Sequence, residues 1–231
     1  MSISLNGQTV GVGTFGTGVS SKTFSHTVNA GSNTVLYVAV FSDQVISGIT
    51  YNGVALTSVA SVSLDGGASQ IFRLKAPATG ANNVVVSLAG SGTLIAHAFA
   101  FDGVDQTTPE NNAIQGYYGG VSPISQSITS SAGSFGLLVM GDRGSDGNNT
   151  FSGSGGSTMV GSTNQSNWII ASAYLLSSGS TVSPGISYSG GGVNSIEYMG
   201  ININAAAAAG GIKRDFPRMT GGMREMSGGM S

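Results

Sequence analysis

The chain has no cysteine among its 231 residues. That removes disulfides, thiol nucleophiles and thiolate-held zinc together. Charge is scarce too: 8% of residues are Asp, Glu, Lys or Arg, against about 25% in an ordinary soluble domain. With a formal net charge of −2, no broad field draws the protein to nucleic acid or to an anionic membrane. A nearly neutral surface also does little to hold copies apart, which suits a protein packed in a dense array. No apolar run approaches the ~20 residues of a membrane span; the longest, Val35–Phe41 and Leu94–Phe101, have strand length. The opening Met1–Gly7 has neither the basic nor the apolar region of a Sec signal peptide. The expectation is a chain that reaches the outside by lysis, as a virion component does; the alternative is an extracellular or cell-surface location reached by another route.

What is present is glycine, at 38 residues, together with Ser, Thr and Asn around a 40% hydrophobic content. Disorder needs low hydrophobicity and high net charge, so this composition reads instead as short strands, tight Gly/Asn turns and a hydroxyl-rich exterior. Period-2 alternation predicts strands near Thr23–Val28, Val35–Phe41, Ile49–Tyr51, Ala55–Val62, Gln70–Leu74, Asn83–Leu88 and Leu94–Phe101. A second set is predicted near Ser125–Thr129, Phe135–Met140, Thr158–Ser162, Trp168–Leu176, Val182–Tyr188 and Ser195–Asn204. Asn52-Gly53, Asp65-Gly66-Gly67, Gly90-Ser91-Gly92 and Gly190-Gly191-Gly192 supply turn signals between them.

The two sets match at an offset of about 100 residues. His26–Ser32 followed by Val35–Val38 aligns with Ile128–Ser134 followed by Gly136–Val139. Thr50-Tyr51-Asn52-Gly53 aligns with Thr150-Phe151-Ser152-Gly153, and Phe72–Leu74 with Tyr174–Leu176. The fold expected is all-β: an antiparallel, jelly-roll-like β-sandwich over residues 1–204, built from two pseudo-repeats (about 20–105 and 123–204), with an extended C-terminal tail. The linker Gln106–Ser122 is short and each half alone has a thin core. The favoured arrangement is therefore one sandwich in which each half supplies strands to both sheets.

Residues 205–231 are of different material: an Ala/Gly spacer, then a segment holding four of the chain's eight basic residues and four of its eight Met. Methionine is the adaptable apolar residue of binding surfaces, and Gly-Gly lets a backbone follow another surface closely. Lys213, Arg214, Phe216, Pro217, Arg218, Met219, Met223, Arg224, Met226 and Met230 are the expected partner-docking residues.

The chemistry-bearing residues elsewhere are few. His26 and His97 both fall in strand-like segments, where sheet packing is the expected role. Asp102-Gly103-Val104-Asp105 with Glu110, and the loop Asp142–Asn149, offer only hard oxygens, so calcium is the metal to weigh. The second loop fails as an EF-hand, with Gly144 and Gly153 at ligand positions, and Asx-rich turns bond their own backbone without a metal. No metal or cofactor is expected. Trp168 opens an apolar strand and is expected in the core, whereas Tyr117 and Tyr118, in a Gly-bounded loop, are the expected surface contact.

Three segments carry a resemblance: Ile49–Thr57; Phe72–Gly80 with Asn83–Val86; and Phe99-Ala100-Phe101-Asp102-Gly103-Val104-Asp105-Gln106-Thr107-Thr108-Pro109. They resemble a β-sandwich module of surface and virion proteins of tailed bacteriophages that is shared with some bacterial surface proteins. The resemblance spans most of residues 20–204 and implies a structural or adhesive role, with no catalytic residues to carry over. The expected function is a virion structural protein, a capsid decoration or surface protein held to neighbouring capsid or tail subunits by its tail. It is expected to be a homo-oligomer and not an enzyme. The alternative is a tail-fibre or surface adhesin for host glycans. A lesser alternative is a secreted glycan hydrolase using Asp102, Asp105, Asp142 and Asp146.

Overall fold

A computed structural model describes residues 2–63, 67–119, 121–143, 149–165, 168–190 and 196–207. Among them there is no helix, and every strand pairing is antiparallel. The first half contains β1 (Ser4–Val28), β2 (Val35–Ser42), β3 (Ile46–Tyr51), β4 (Val54–Ala55), β5 (Thr57–Val62), β6 (Ala68–Lys75) and β7 (Gly80–Asp102). The second contains β8 (Glu110–Tyr118), β9 (Ile124–Ser125), β10 (Ile128–Thr129), β11 (Phe135–Arg143), β12 (Thr150–Ser154) and β13 (Thr158–Gln165). It continues with β14 (Trp168–Leu176), β15 (Thr181–Val182), β16 (Gly185–Ser189) and β17 (Ile196–Ile203).

The first half forms one seven-stranded sheet in the order β4-β3-β7-β2-β6-β5, with β1 along the other edge of β7. The second forms a five-stranded sheet, β13-β14-β11-β17-β8, a three-stranded sheet, β12-β16-β9, and the pair β10-β15. Each sheet thus draws its strands from one half, so the expectation that each half feeds both sheets is overturned. Between the halves the described backbone pairing is the single bridge Val104↔Ala205. In each half the first strand pairs with the last, β1 with β7 and β8 with β17, so each half completes its large sheet from its own strands.

Alternation places the cores. In β7 the even residues Val84, Val86, Leu88, Leu94, Ala96 and Ala98 line a core internal to the first half, closed by Phe24, Tyr51 and Phe72. The odd residues Ile95, Phe99 and Phe101 point to the opposite face, with Tyr37, Ala39 and Phe41 of β2. They meet Leu137, Val139, Ile170, Met199 and Ile201 of the second half in one shared core. The large sheets of the two halves therefore bury their apolar faces against each other, about 1.5–3 kcal/mol per large side chain removed from water. Phe41 explains one glycine in this seam, since a Cβ on Gly141 would run into its ring. A smaller core, Ile124, Leu138, Met140 and Ile186 among its members, lies within the second half.

Edge strands are bulged, while the central pairings of each large sheet are regular. β5, β8 and β13 each carry one extra residue against an inner neighbour, whereas β2–β6, β2–β7, β11–β14 and β11–β17 pair without a shift. In β8 the bulge falls at Asn112, whose φ of 51° is a conformation asparagine tolerates. Bulged edges discourage uncontrolled strand addition by other copies.

Candidate functional site

Three stretches of chain converge at one pole and are held there by hydrogen bonds. Gly103 N donates to Ser32 O and Val104 N to Asn33 O, each at 3.0 Å. Ala206 N donates to Gly103 O at 2.7 Å, beside the Val104–Ala205 bridge. Asp105 N donates to Asn204 O at 2.9 Å and Asn204 N to Pro109 O at 2.8 Å. Gly103 has a φ of 71°, and a Cβ there would strike the Ser2 carbonyl. The start of the chain, the join between the halves and the last described residues are thus packed together.

Asp102 braces this pole. Its Oδ1 accepts from Thr34 Oγ1 at 2.5 Å and its Oδ2 from Asn6 Nδ2 at 2.8 Å. Asn6 in turn accepts from Asn29 N at 2.7 Å and donates to Asn29 O at 3.1 Å. Asp105 accepts from the amides of Thr108 and Thr107 at 3.0 and 2.7 Å, and those bonds, Thr108 first, hold its carboxyl below the ordinary range. This is the self-satisfied Asx turn that competes with metal binding. Glu110, the third acid of the group, reaches the other half: its Oε1 takes Arg73 Nη1 at 2.6 Å and its Oε2 the Tyr37 hydroxyl at 3.2 Å. Burial pushes Glu110 up, ahead of the lowering by Arg73, and burial likewise pushes the Tyr37 phenol up, followed by the Glu110 charge. Among the described residues no three His, Cys, Asp or Glu side chains converge as a metal site. Asp142 is buried at the end of β11, while Asp146 and most of its loop lie outside the described residues.

Both histidines are packing residues. His26 Nδ1 lies 3.0 Å from Thr9 Oγ1, with its ring edge-on to Tyr51, and burial lowers its pKa to about 4. His97 is buried in the seam, 3.0 Å from Ser172 Oγ of the other half, and burial lowers it to about 3. Nearby in the same shared core, Ser69 donates to the buried carboxylate of Glu197. Sequence reasoning did not single out this cross-half polar pairing. Its only signal was a carboxylate at Glu197 inside a mostly apolar strand.

Tyr117 is not in a loop, as the glycines around it suggested. It lies in β8, opposite Glu197 across the pair with β17, 46% exposed, and its hydroxyl donates to Ser63 O on the far side of the seam. Glycines flank the pair without breaking it, because Gly116 sits under the Tyr198 ring, where a Cβ would clash. The Tyr118 side chain lies outside the described residues, as do Lys213, Arg214, Phe216, Pro217, Arg218, Met219, Met223, Arg224, Met226 and Met230. Trp168 packs half-buried against the shared core, as expected. No protein-family model matches the chain, and neither a curated protein nor a solved structure matches it.

Proposed function

We propose that this chain is a virion structural protein of a tailed bacteriophage, a capsid decoration or surface protein that docks on neighbouring subunits through residues 208–231. The observation carrying the proposal is the pole at Gly103 and Ala206. A docking segment works best from a fixed base, because ordering it on a partner then costs only its own conformational freedom. The Met, Arg and Gly composition of the segment supports the same reading. So does the scarcity of charge, which lets copies crowd.

The finer fold reading belongs with this proposal: a jelly-roll-like sandwich built from two pseudo-repeats. Its support is the parallel between the order β5-β6-β2-β7-β1 in the first half and β13-β14-β11-β17-β8 in the second. The order β3-β7-β1 likewise parallels β12-β16-β9. Truncation tests the functional reading. A chain ending at Ala209 is expected to fold and to be lost from purified particles; incorporation at the full-length level would remove the tail as the anchor.

A further inference from the structure

The chain's few charges are unevenly placed. Among the described residues, several sit on the rim of the seam (Arg73 with Glu110), inside it (Glu197) and at the pole (Asp102, Asp105). The outer faces are different. In the first half, alternation turns Phe24, His26 and Val28 of β1 inward and leaves Ser21, Thr23, Ser25 and Thr27 exposed. Lys22 falls on the inward side. Beside them on the same face lie Asn83 of β7, opposite Ser25, and Thr50 of β3, opposite Val85. β3, β4 and the Gly80–Leu88 part of β7 contain no Asp, Glu, Lys or Arg at all. In the second half β9, β12 and β16 are equally without charge, and their outward residues are Ser125, Thr150, Ser152, Ser187 and Ser189.

Each outer face also carries an open trough at the corresponding place. One, of about 400 Å³, is lined by Thr50, Asn52, Asn82 and Asn83 among others. The other, of about 200 Å³, is lined by Thr150, Ser152, Ser187 and Ser189 beside Phe151 and Tyr188. Exposed sheet faces normally mix in Lys, Glu and Arg for solubility. Here both troughs instead combine uncharged hydrogen-bonding groups with a few apolar ones, Ala81 and Val85 in the first and Phe151 in the second, and neither is lined by a charged side chain. A charged ligand would find no counter-ion in either trough, and a small apolar one would find no enclosed cavity. A polymer of uncharged polyols matches both the chemistry and the open shape.

We propose that the two outer faces bind an uncharged polysaccharide, each trough taking a short run of sugar units. The inference is independent of the virion reading, since the faces lie on β strands and not at the pole or on the tail. Each face is separated from the seam by its own core, so the two look away from each other and bind separate polymer chains.

The test is a titration of the full chain, followed by amide chemical shifts, with neutral hexasaccharides of the chito, cello, malto, laminari and manno series and with hexagalacturonate as the charged control. The expected result is saturable binding of at least one neutral sugar, with a Kd on the order of 1 mM, as a few neutral hydrogen bonds allow. Shifts are expected at Thr50 and Asn83 and at Ser152 and Ser187, with none from hexagalacturonate. The Thr50→Ala/Asn83→Ala variant, with surface substitutions that leave the cores intact, is expected to weaken the first face at least fivefold and leave the second unchanged. No saturable binding by any neutral sugar overturns the proposal, as does binding mapped to the pole or to Tyr117, or equal binding of hexagalacturonate.

Discussion

The two halves solve the same packing problem with different strands. In the first, β1 and β7 run unbroken for 25 and 23 residues. Each serves two regions at once: the early part of β7 pairs with β3 and the later part with β2. In the second half the same work is divided among short pieces. β8 ends at Tyr118 and β9 begins at Ile124, while β15 and β16 are separated by Ser183 and Pro184. A proline has no amide to give a ladder, so a strand interrupted there has to restart. One half is a single curled sheet and the other a large sheet with a small one laid beside it. The lesson is that strand continuity is not what joins the halves. The seam is, through side chains such as Phe41 seated over Gly141 and His97 beside Ser172.

Breaking the seam is expected to have the largest effect. Phe41 is 2% exposed, and Phe41→Ala should cost about 3–5 kcal/mol in urea denaturation, destabilising both halves together. A loss confined to one half, seen as a separate early transition, would mean that the halves hold together by other means.

Acid should act more gently and sharpen the comparison, because one histidine belongs to the first half and the other to the seam. Both have folded pKa values below the ordinary 6.5, His26 about 4 and His97 about 3. The unfolded chain therefore binds the extra protons. Stability is fullest above pH 6.5 and falls as pH drops toward the folded values, by up to about 1.4 kcal/mol per pH unit for each histidine. Glu110, raised by burial, works in the opposite sense nearer its own range, so the window to measure is pH 7 to 5.5. His97→Leu should remove roughly half of that slope whatever its absolute stability at pH 7. An unchanged slope would take His97 out of the account.

Much of this architecture was legible in the sequence. The predicted Trp168–Leu176 coincides with β14, and Val35–Phe41 falls one residue short of β2, because the inner strands are apolar on both faces and read as runs. The edges were harder. Ser4–Ser20 read as no strand, since its glycines and bulges hide the alternation that its pairing with β7 reveals. Gly90-Ser91-Gly92 read as a turn but runs through β7, its unpenalised backbone absorbing the bend. Asn111–Tyr118 read as linker, because a bulged edge strand of Asn, Gln and Gly carries almost no hydrophobic signal. The charge-poor outer faces were visible as composition alone. Their division into two separate surfaces required the register of β1, β3 and β7 and of β12 and β16.

The most direct test of the central proposal, a module of two packed halves docked through residues 208–231, is electron cryo-microscopy of particles carrying the full-length chain. The account predicts a repeating surface layer in which density continues from Ala206 onto a neighbouring subunit, with the pole at Gly103 facing the particle. A module placed at a fibre tip, or seated on the capsid with no contact beyond Ala207, would contradict it.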